Sequence, residues 1–310
     1  MGKAIFDLGK INNTYFIENY DIVMCTIGQE EKQTILIDDH NNTCRFCGRK
    51  KHEVKFNNKS HAIPEAFGNK KVITRNECNE CNQKYANIIE NDLLNLTLPS
   101  RTVTRVFGKN GIPKYKDITT NNSCEYKDGK FVINDYENFS IMEDENKQIR
   151  LKFKTTKMTP LKAYKALVRI ALNCLPKAYF DRFKMIEWLE SDQDLGGTTE
   201  FYTKVITVFM PKINPMFNIC LFIRKPNILN VPYCQMVLQV NNIFYQVIIP
   251  FIEEDLHLEK ETKVIIEPFS FGVVDDDAEN TIAILKLESK EKKVLTTEFV
   301  INYKEKRLSQ

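Results

Sequence analysis

Four cysteines in two pairs constrain this chain more than any other feature. CRFC at 44–47 and CNEC at 78–81 are separated by thirty residues. Each Cys-x-x-Cys turn directs both sulfurs toward one point, and two such turns complete a closed tetrahedral site of the structural zinc kind. The segment between them is rich in Asn and Lys and short of apolar runs, so it needs a metal to staple it. The spacing predicts structural zinc on Cys44, Cys47, Cys78 and Cys81; the alternative is two unrelated reduced pairs. No βαβ pattern surrounds either pair, which argues against redox chemistry. The other five cysteines (Cys25, Cys124, Cys174, Cys220 and Cys234) are scattered and read as core residues of a reduced protein.

The length of 310 residues allows one large domain or two to three ordinary ones, and 43% hydrophobic content supports a real core. The start, MGKAIFDLGKINN, holds no apolar signal core and lacks the pattern for myristoylation. No apolar run reaches the length of a membrane span. A cytoplasmic protein with no membrane partner is expected. A net charge of +3 is too small to mark the whole chain as a nucleic-acid binder. Residues 44–90, however, carry ten Lys or Arg against five Glu, so the rest of the chain is net negative. Four thiolates and one zinc ion leave this stretch positive, which suits contact with a phosphate backbone.

Strands are expected around 14–26 and 33–37, then a short one at Val54–Phe56. Ser60 to Pro64 reads as extended, because a residue before proline avoids the α region. Gly68-Asn69 is a turn and 70–75 holds a second short strand. After Cys81 a helix follows, with Tyr85, Ile88, Ile89 and Leu93 on its apolar side. Residues 100–158 are polar and β-prone, with strands 131–141 and 149–156 flanking the charged turn 142–147. Thr159-Pro160 starts a helix, and Leu161, Tyr164, Leu167, Val168, Ala171, Leu172 and Leu175 recur at helical spacing. Pro176 ends it, and a second helix runs through Tyr179, Phe180, Phe183, Ile186 and Leu189. Strands then dominate: 201–210, 217–224, 233–240, 243–252 and 262–267, with Asn241-Asn242 as a hairpin turn. The charged tail after 290 is expected to fray at its end. The fold class is α+β. A small zinc-stapled module with the N-terminal strands (1–98) precedes a larger mixed α/β region (99–310) containing a helical pair and antiparallel strands.

Residues 44–93 resemble the zinc-containing branch of the HNH endonucleases, the ββα-metal nucleases. That branch carries Cys-x-x-Cys, then His-x-x-Pro with a Gly-rich turn, then Cys-x-x-Cys-Asn opening a helix. Here these elements are CRFC, HAIP, FGN and CNECN. The resemblance implies hydrolysis of DNA phosphodiester bonds, with double-stranded DNA the preferred substrate and 5′-phosphate and 3′-hydroxyl ends. It makes His61 the general base and Asn82 a ligand of one hard divalent ion, Mg²⁺ or Mn²⁺, bridging the scissile phosphate and the leaving oxygen. It makes Asn76 the middle asparagine of the motif, ahead of Asn69. One departure is Ser60, where many members place Asp as a second ion ligand. Glu65 and Glu90 are the nearest candidate carboxylates. Glu90 lies eight residues after Asn82, roughly 12 Å along a helix, so the two are not expected to share an ion.

The four thiolates hold zinc without help from His61, which frees its imidazole to take a proton from water. His40, in ILIDDH, precedes the first cysteine pair and falls outside the motif order. His52 follows a basic loop and reads as exposed, and His257 in EEDLHLEKE reads as solvated. The rival from another class is a non-catalytic zinc-ribbon module that binds nucleic acid. It explains thiolates and lysines but leaves His61, Pro64 and Asn82 without roles. Residues 99–310 would then recognise, regulate or bind a partner, either a regulatory protein or a second copy. A gated effector in bacterial anti-phage defence or a mobile element is the setting this suggests, by analogy.

Overall fold

The N-terminal segment begins with strand Lys3–Phe6, helix α1 (Asn13–Asn19) and strand Tyr20–Cys25. The single strand expected over 14–26 is therefore divided. Asn12 is the reason: its side chain accepts the Tyr15 amide at 3.3 Å and caps one helical turn. That turn delivers Phe16 to a ring cluster with Phe222 and Phe269, centroids 4.9 and 4.7 Å away. The computed structural model describes residues 3–8, 11–27, 34–57, 60–137, 139–143, 145, 147–195, 201–210, 216–259, 263–270 and 281–302. Lys3–Phe6 pairs in parallel with Lys263–Ile266, and Tyr20–Cys25 forms one edge of a six-stranded antiparallel sheet.

The segment around the two cysteine pairs holds a three-stranded sheet in the order Ile35–Ile37, Val72–Thr74, Ser60–His61. The first pair is parallel and the second antiparallel. No strand forms at Val54–Phe56. Val54 is buried there, and the Lys55 carbonyl instead accepts the Asn79 amide at the start of helix α2 (Asn79–Tyr85). A wide π turn, Ala86–Glu90, joins α2 to helix α3 (Asn91–Val103). The sequence explains the wide turn. Buried Cys81, Tyr85, Ile89 and Leu93 are spaced by four, and each such step drifts about 40° round an α-helix. A turn with one extra residue takes up that drift and keeps the row facing inward. Pro99 lies within α3 without ending it, and Ser100 and Thr102 hydroxyls bond to the Thr97 and Leu98 carbonyls.

Helix α4 (Pro160–Cys174) begins at Thr159 as expected. The Thr159 side chain makes no cap; Asp92 of α3 accepts the Thr159 amide at 2.6 Å instead. Nearly every residue of α4 is buried, because the helix lies between α3 with its π turn and the six-stranded sheet. Tyr164 fastens it to the sheet by donating to the Ile248 carbonyl. The sheet order is Thr281–Lys286, Lys204–Phe209, Ile243–Ile249, Cys234–Val240, Phe217–Arg224, Tyr20–Cys25. The hairpin at Asn241-Asn242 forms as expected, with Asn241 at φ 53°.

Other expectations are refined. The second helix of the expected pair arrives as two short pieces, Lys177–Phe180 and a 3-10 turn Glu187–Leu189. Buried Lys165 holds the Trp188 and Ser191 carbonyls and fixes the chain there. The strand expected over 131–141 divides into Lys130–Asn134 and Ser140–Glu143, because Asp135 accepts the amides of Phe139 and Ser140 and turns the chain. Thr296–Asn302, inside the charged tail, pairs with all of Gln148–Lys154; residues 303–310 lie outside the described set. Cys25 and Cys220 are not separate core thiols. They face each other across adjacent strands, Cα atoms 4.1 Å apart, and form a disulfide. Cys124, Cys174 and Cys234 are free and buried. No helix among the described residues is long and apolar enough to cross a membrane.

Candidate functional site

Cys44, Cys47, Cys78 and Cys81 converge, their sulfurs all within 4.8 Å of one another. Zinc–sulfur bonds near 2.3 Å in a tetrahedron require sulfurs about 3.8 Å apart; the Cys47 and Cys78 sulfurs are 3.9 Å apart. The residues therefore fit a structural zinc ion. Backbone amides point at the cluster: Cys78 donates to the Cys44 sulfur and Cys81 to the Cys78 sulfur, both at 3.4 Å. The Arg49 Nε–H donates to Cys47 at the same distance. With no metal bound, hydrogen bonding from the Cys81 thiol, helped by backbone amides, lowers the Cys44 thiol, and the same bond raises Cys81.

His61 ends the short strand Ser60–His61, opposite Ile73. The chain then turns tightly: the Ala62 amide reaches Val72, and Pro64 leads into a 3-10 turn, Glu65–Phe67, closed by Gly68 at φ 82°. Glycine suits that left-handed position. Asn69 braces the turn, its amide group donating to the Ile63 and Val72 carbonyls and its oxygen accepting the Val72 amide. The outcome is a carboxylate on the imidazole, with Glu65 Oε1 3.2 Å from His61 Nε2. The other ring nitrogen, Nδ1, is buried with no hydrogen-bond partner, and so is the Ser60 hydroxyl. Ser60 is 2% exposed, so its side chain points into the protein.

Asn76 is buried behind this turn. Its side-chain oxygen accepts the Asp39 amide at 2.7 Å, and its carbonyl accepts the Arg45 amide inside the first cysteine turn. Asn82 stands on α2, and its Oδ1 accepts Arg169 Nη2 from α4 at 3.3 Å. The Arg169 guanidinium is buried. Nη2 bonds both oxygens of Glu77 at 2.6 Å, Nη1 lies 3.5 Å from Glu90, and the group lies over the rings of Tyr85 and Phe46. Burial pushes the Glu77 and Glu90 carboxyls upward, and the Arg169 charge opposes the shift. The π turn keeps Asn82 and Glu90 on one face, which is how one guanidinium meets both.

Among the described residues no hydrogen bond or ion pair joins His61 to Asn82, and the cysteine quartet is the one convergent group of three or more His, Cys, Asp or Glu side chains. His40 is exposed beside Asp38. His52 is exposed and lines a shallow cleft of about 390 Å³ with Asn41, Asn42, Lys50 and Lys51. His257 is partly exposed, with its Nε2 against the Leu229 carbonyl.

Sequence reasoning missed Arg169 and Glu77. A signal existed for Arg169: Lys162, Lys165, Arg169 and Asn173 form one polar stripe along α4, which marks a face with polar partners to meet. Residues 44–96 match a family model described as HNH endonuclease. The match spans both cysteine turns, His61 and Asn82, and it stops before α4. It supports nuclease activity and a nucleic-acid substrate in general. No curated protein and no solved structure matches the chain.

Proposed function

We propose that the chain is a divalent-metal-dependent endonuclease acting on double-stranded DNA through a site on residues 44–96, with His61 as general base. One observation carries this reading: within the matched segment His61 has a carboxylate on one nitrogen and no partner on the other. Glu65 accepts the Nε2 proton and so fixes the tautomer in which Nδ1 keeps a basic lone pair. In that role Nδ1 takes the proton of the attacking water as its oxygen attacks phosphorus. A bound Mg²⁺ or Mn²⁺ supplies charge stabilisation at the phosphate and the leaving 3′-oxygen. Asn82 would hold that ion through its side-chain carbonyl oxygen. Asn76 has a positional part, tying the second cysteine turn to Asp39 and Arg45. Exposed Lys50, Lys51, Lys70 and Arg75 contact phosphates without reading bases. Residues 99–310 recognise, regulate or dock a partner, as a gated effector in phage defence or a mobile element would require.

The rival reading, a zinc-ribbon module that binds nucleic acid without cutting it, is favoured by one observation: His61 Nδ1 and the Ser60 hydroxyl are buried. Plasmid cleavage with Mg²⁺ or Mn²⁺, wild type against His61→Ala, separates the two. Loss of cleavage in the variant, by 10²-fold or more as for a general base, supports the nuclease. Equal activity in both sinks His61 as base, and DNA binding with no cleavage in either supports the rival.

A further inference from the structure

We propose that Arg169 is a positioning residue of this site, so that α4, outside the matched segment, completes it by orienting Asn82. This rests on Asn82 being an ion ligand. An asparagine amide presents an oxygen at one end and an NH₂ of nearly the same shape at the other. Only the oxygen can hold a cation, so something must decide which end points where. Arg169 Nη2, at 3.3 Å, is a pure donor and accepts only the oxygen end. A carbonyl oxygen has two lone pairs, so one held by Arg169 leaves the other for the ion.

The guanidinium is itself fixed. Its three bonds to Glu77, one from Nε and two from Nη2, the approach to Glu90 and the flanking rings of Phe46 and Tyr85 hold it in one orientation. Glu77 is held in turn by Asn173 of α4, at 3.4 Å. A cation next to an ion ligand would ordinarily repel the ion. Glu77 and Glu90 offset that charge, which explains why two carboxylates gather at a position that contributes neither to zinc nor to His61. A lysine could not replace this fork, because its single nitrogen cannot reach groups that the guanidinium meets from Nε, Nη1 and Nη2.

The test is Mn²⁺ binding to the zinc-loaded full chain, read by electron paramagnetic resonance, for wild type, Asn82→Ala, Arg169→Lys, Arg169→Gln and the Arg169→Lys/Asn82→Ala double variant. Zinc content and melting temperature report folding. Arg169→Lys should weaken Mn²⁺ about tenfold or more, the usual scale for a residue that orients a metal ligand. It should add nothing in the Asn82→Ala background. If Arg169→Gln fails to retain zinc, Arg169→Lys alone carries the comparison. A wild type that binds Mn²⁺ and cleaves DNA, with Arg169→Lys neutral or additive to Asn82→Ala, overturns the inference and leaves the nuclease standing. A wild type that neither binds Mn²⁺ nor cleaves removes both.

Discussion

Stripping zinc should loosen a helix that carries no zinc ligand. Both cysteine turns reach α4 through buried guanidinium groups. Arg45, inside the first turn, donates from Nη1 to the Leu172, Asn173 and Leu175 carbonyls at 2.6–3.2 Å and from Nη2 to Asp39. Glu77, directly before Cys78, takes Arg169 of α4. Structural zinc contributes about 10–16 kcal/mol, comparable with the entire ~5–15 kcal/mol stability of an ordinary domain, so chelation should open residues 44–96. Opening separates Glu77 from Arg169, and breaking one buried ion pair costs about 3–5 kcal/mol. Taking only the lower figure, exchange of the α4 amides should accelerate more than about 100-fold, at roughly 1.4 kcal/mol per tenfold. Hydrogen exchange read by mass spectrometry, before and after a zinc chelator and again after zinc is restored, measures this. Opening of 44–96 with α4 exchange changed by less than about threefold would refute the reasoning, because the two arginine links would then carry no load.

Two further outcomes are expected. Glu65→Gln keeps an acceptor on His61 but removes its charge; cleavage should fall roughly tenfold, the scale of a partly exposed charge-assisted hydrogen bond, with zinc content unchanged, and an unaltered rate would show that Glu65 does not orient the base. Asp255 is buried against Arg224 and Tyr202, and burial raises its carboxyl to about 7. The folded state then holds this proton more tightly than the unfolded chain, whose carboxyl titrates near 4. The stability this proton lends is full at acid pH and is lost as pH rises through about 7. Urea midpoints measured from pH 5 to pH 8 should therefore fall more steeply for wild type than for Asp255→Asn, and equal slopes would remove Asp255 as the cause.

What the sequence disclosed and what it hid divide by chain distance. The cysteine quartet, His61, Pro64 and Gly68 were legible because each is a local signal: a short spacing, a restricted φ or a left-handed turn. The six-stranded sheet was mostly legible from its strands, and Asn241-Asn242 gave one hairpin directly. The contacts made by Asn82 were not legible, because its partner lies 87 residues away and nothing in CNECN specifies an arginine on α4. Glu65 was considered only as an ion ligand, since the 3-10 turn that folds it back onto His61 depends on Asn69 bracing two carbonyls. Strand Tyr20–Cys25 was legible while α1 was not: one side-chain cap at Asn12 outweighed the β preference of the segment. The strand Thr296–Asn302 was hidden by the lysines and glutamates around it, although Phe299 is buried against Phe153.

The burial of α4 between α3 and the sheet has a consequence for synthesis on the ribosome. The cysteine turns emerge first, and at about 5–20 residues per second several seconds pass before Arg169 follows. During that interval Glu77 has no guanidinium, Arg45 has no α4 carbonyls to hold and the Asn82 side-chain oxygen has no donor from α4. A nascent chain therefore displays its metal knuckles and its lysines well before it owns a finished site.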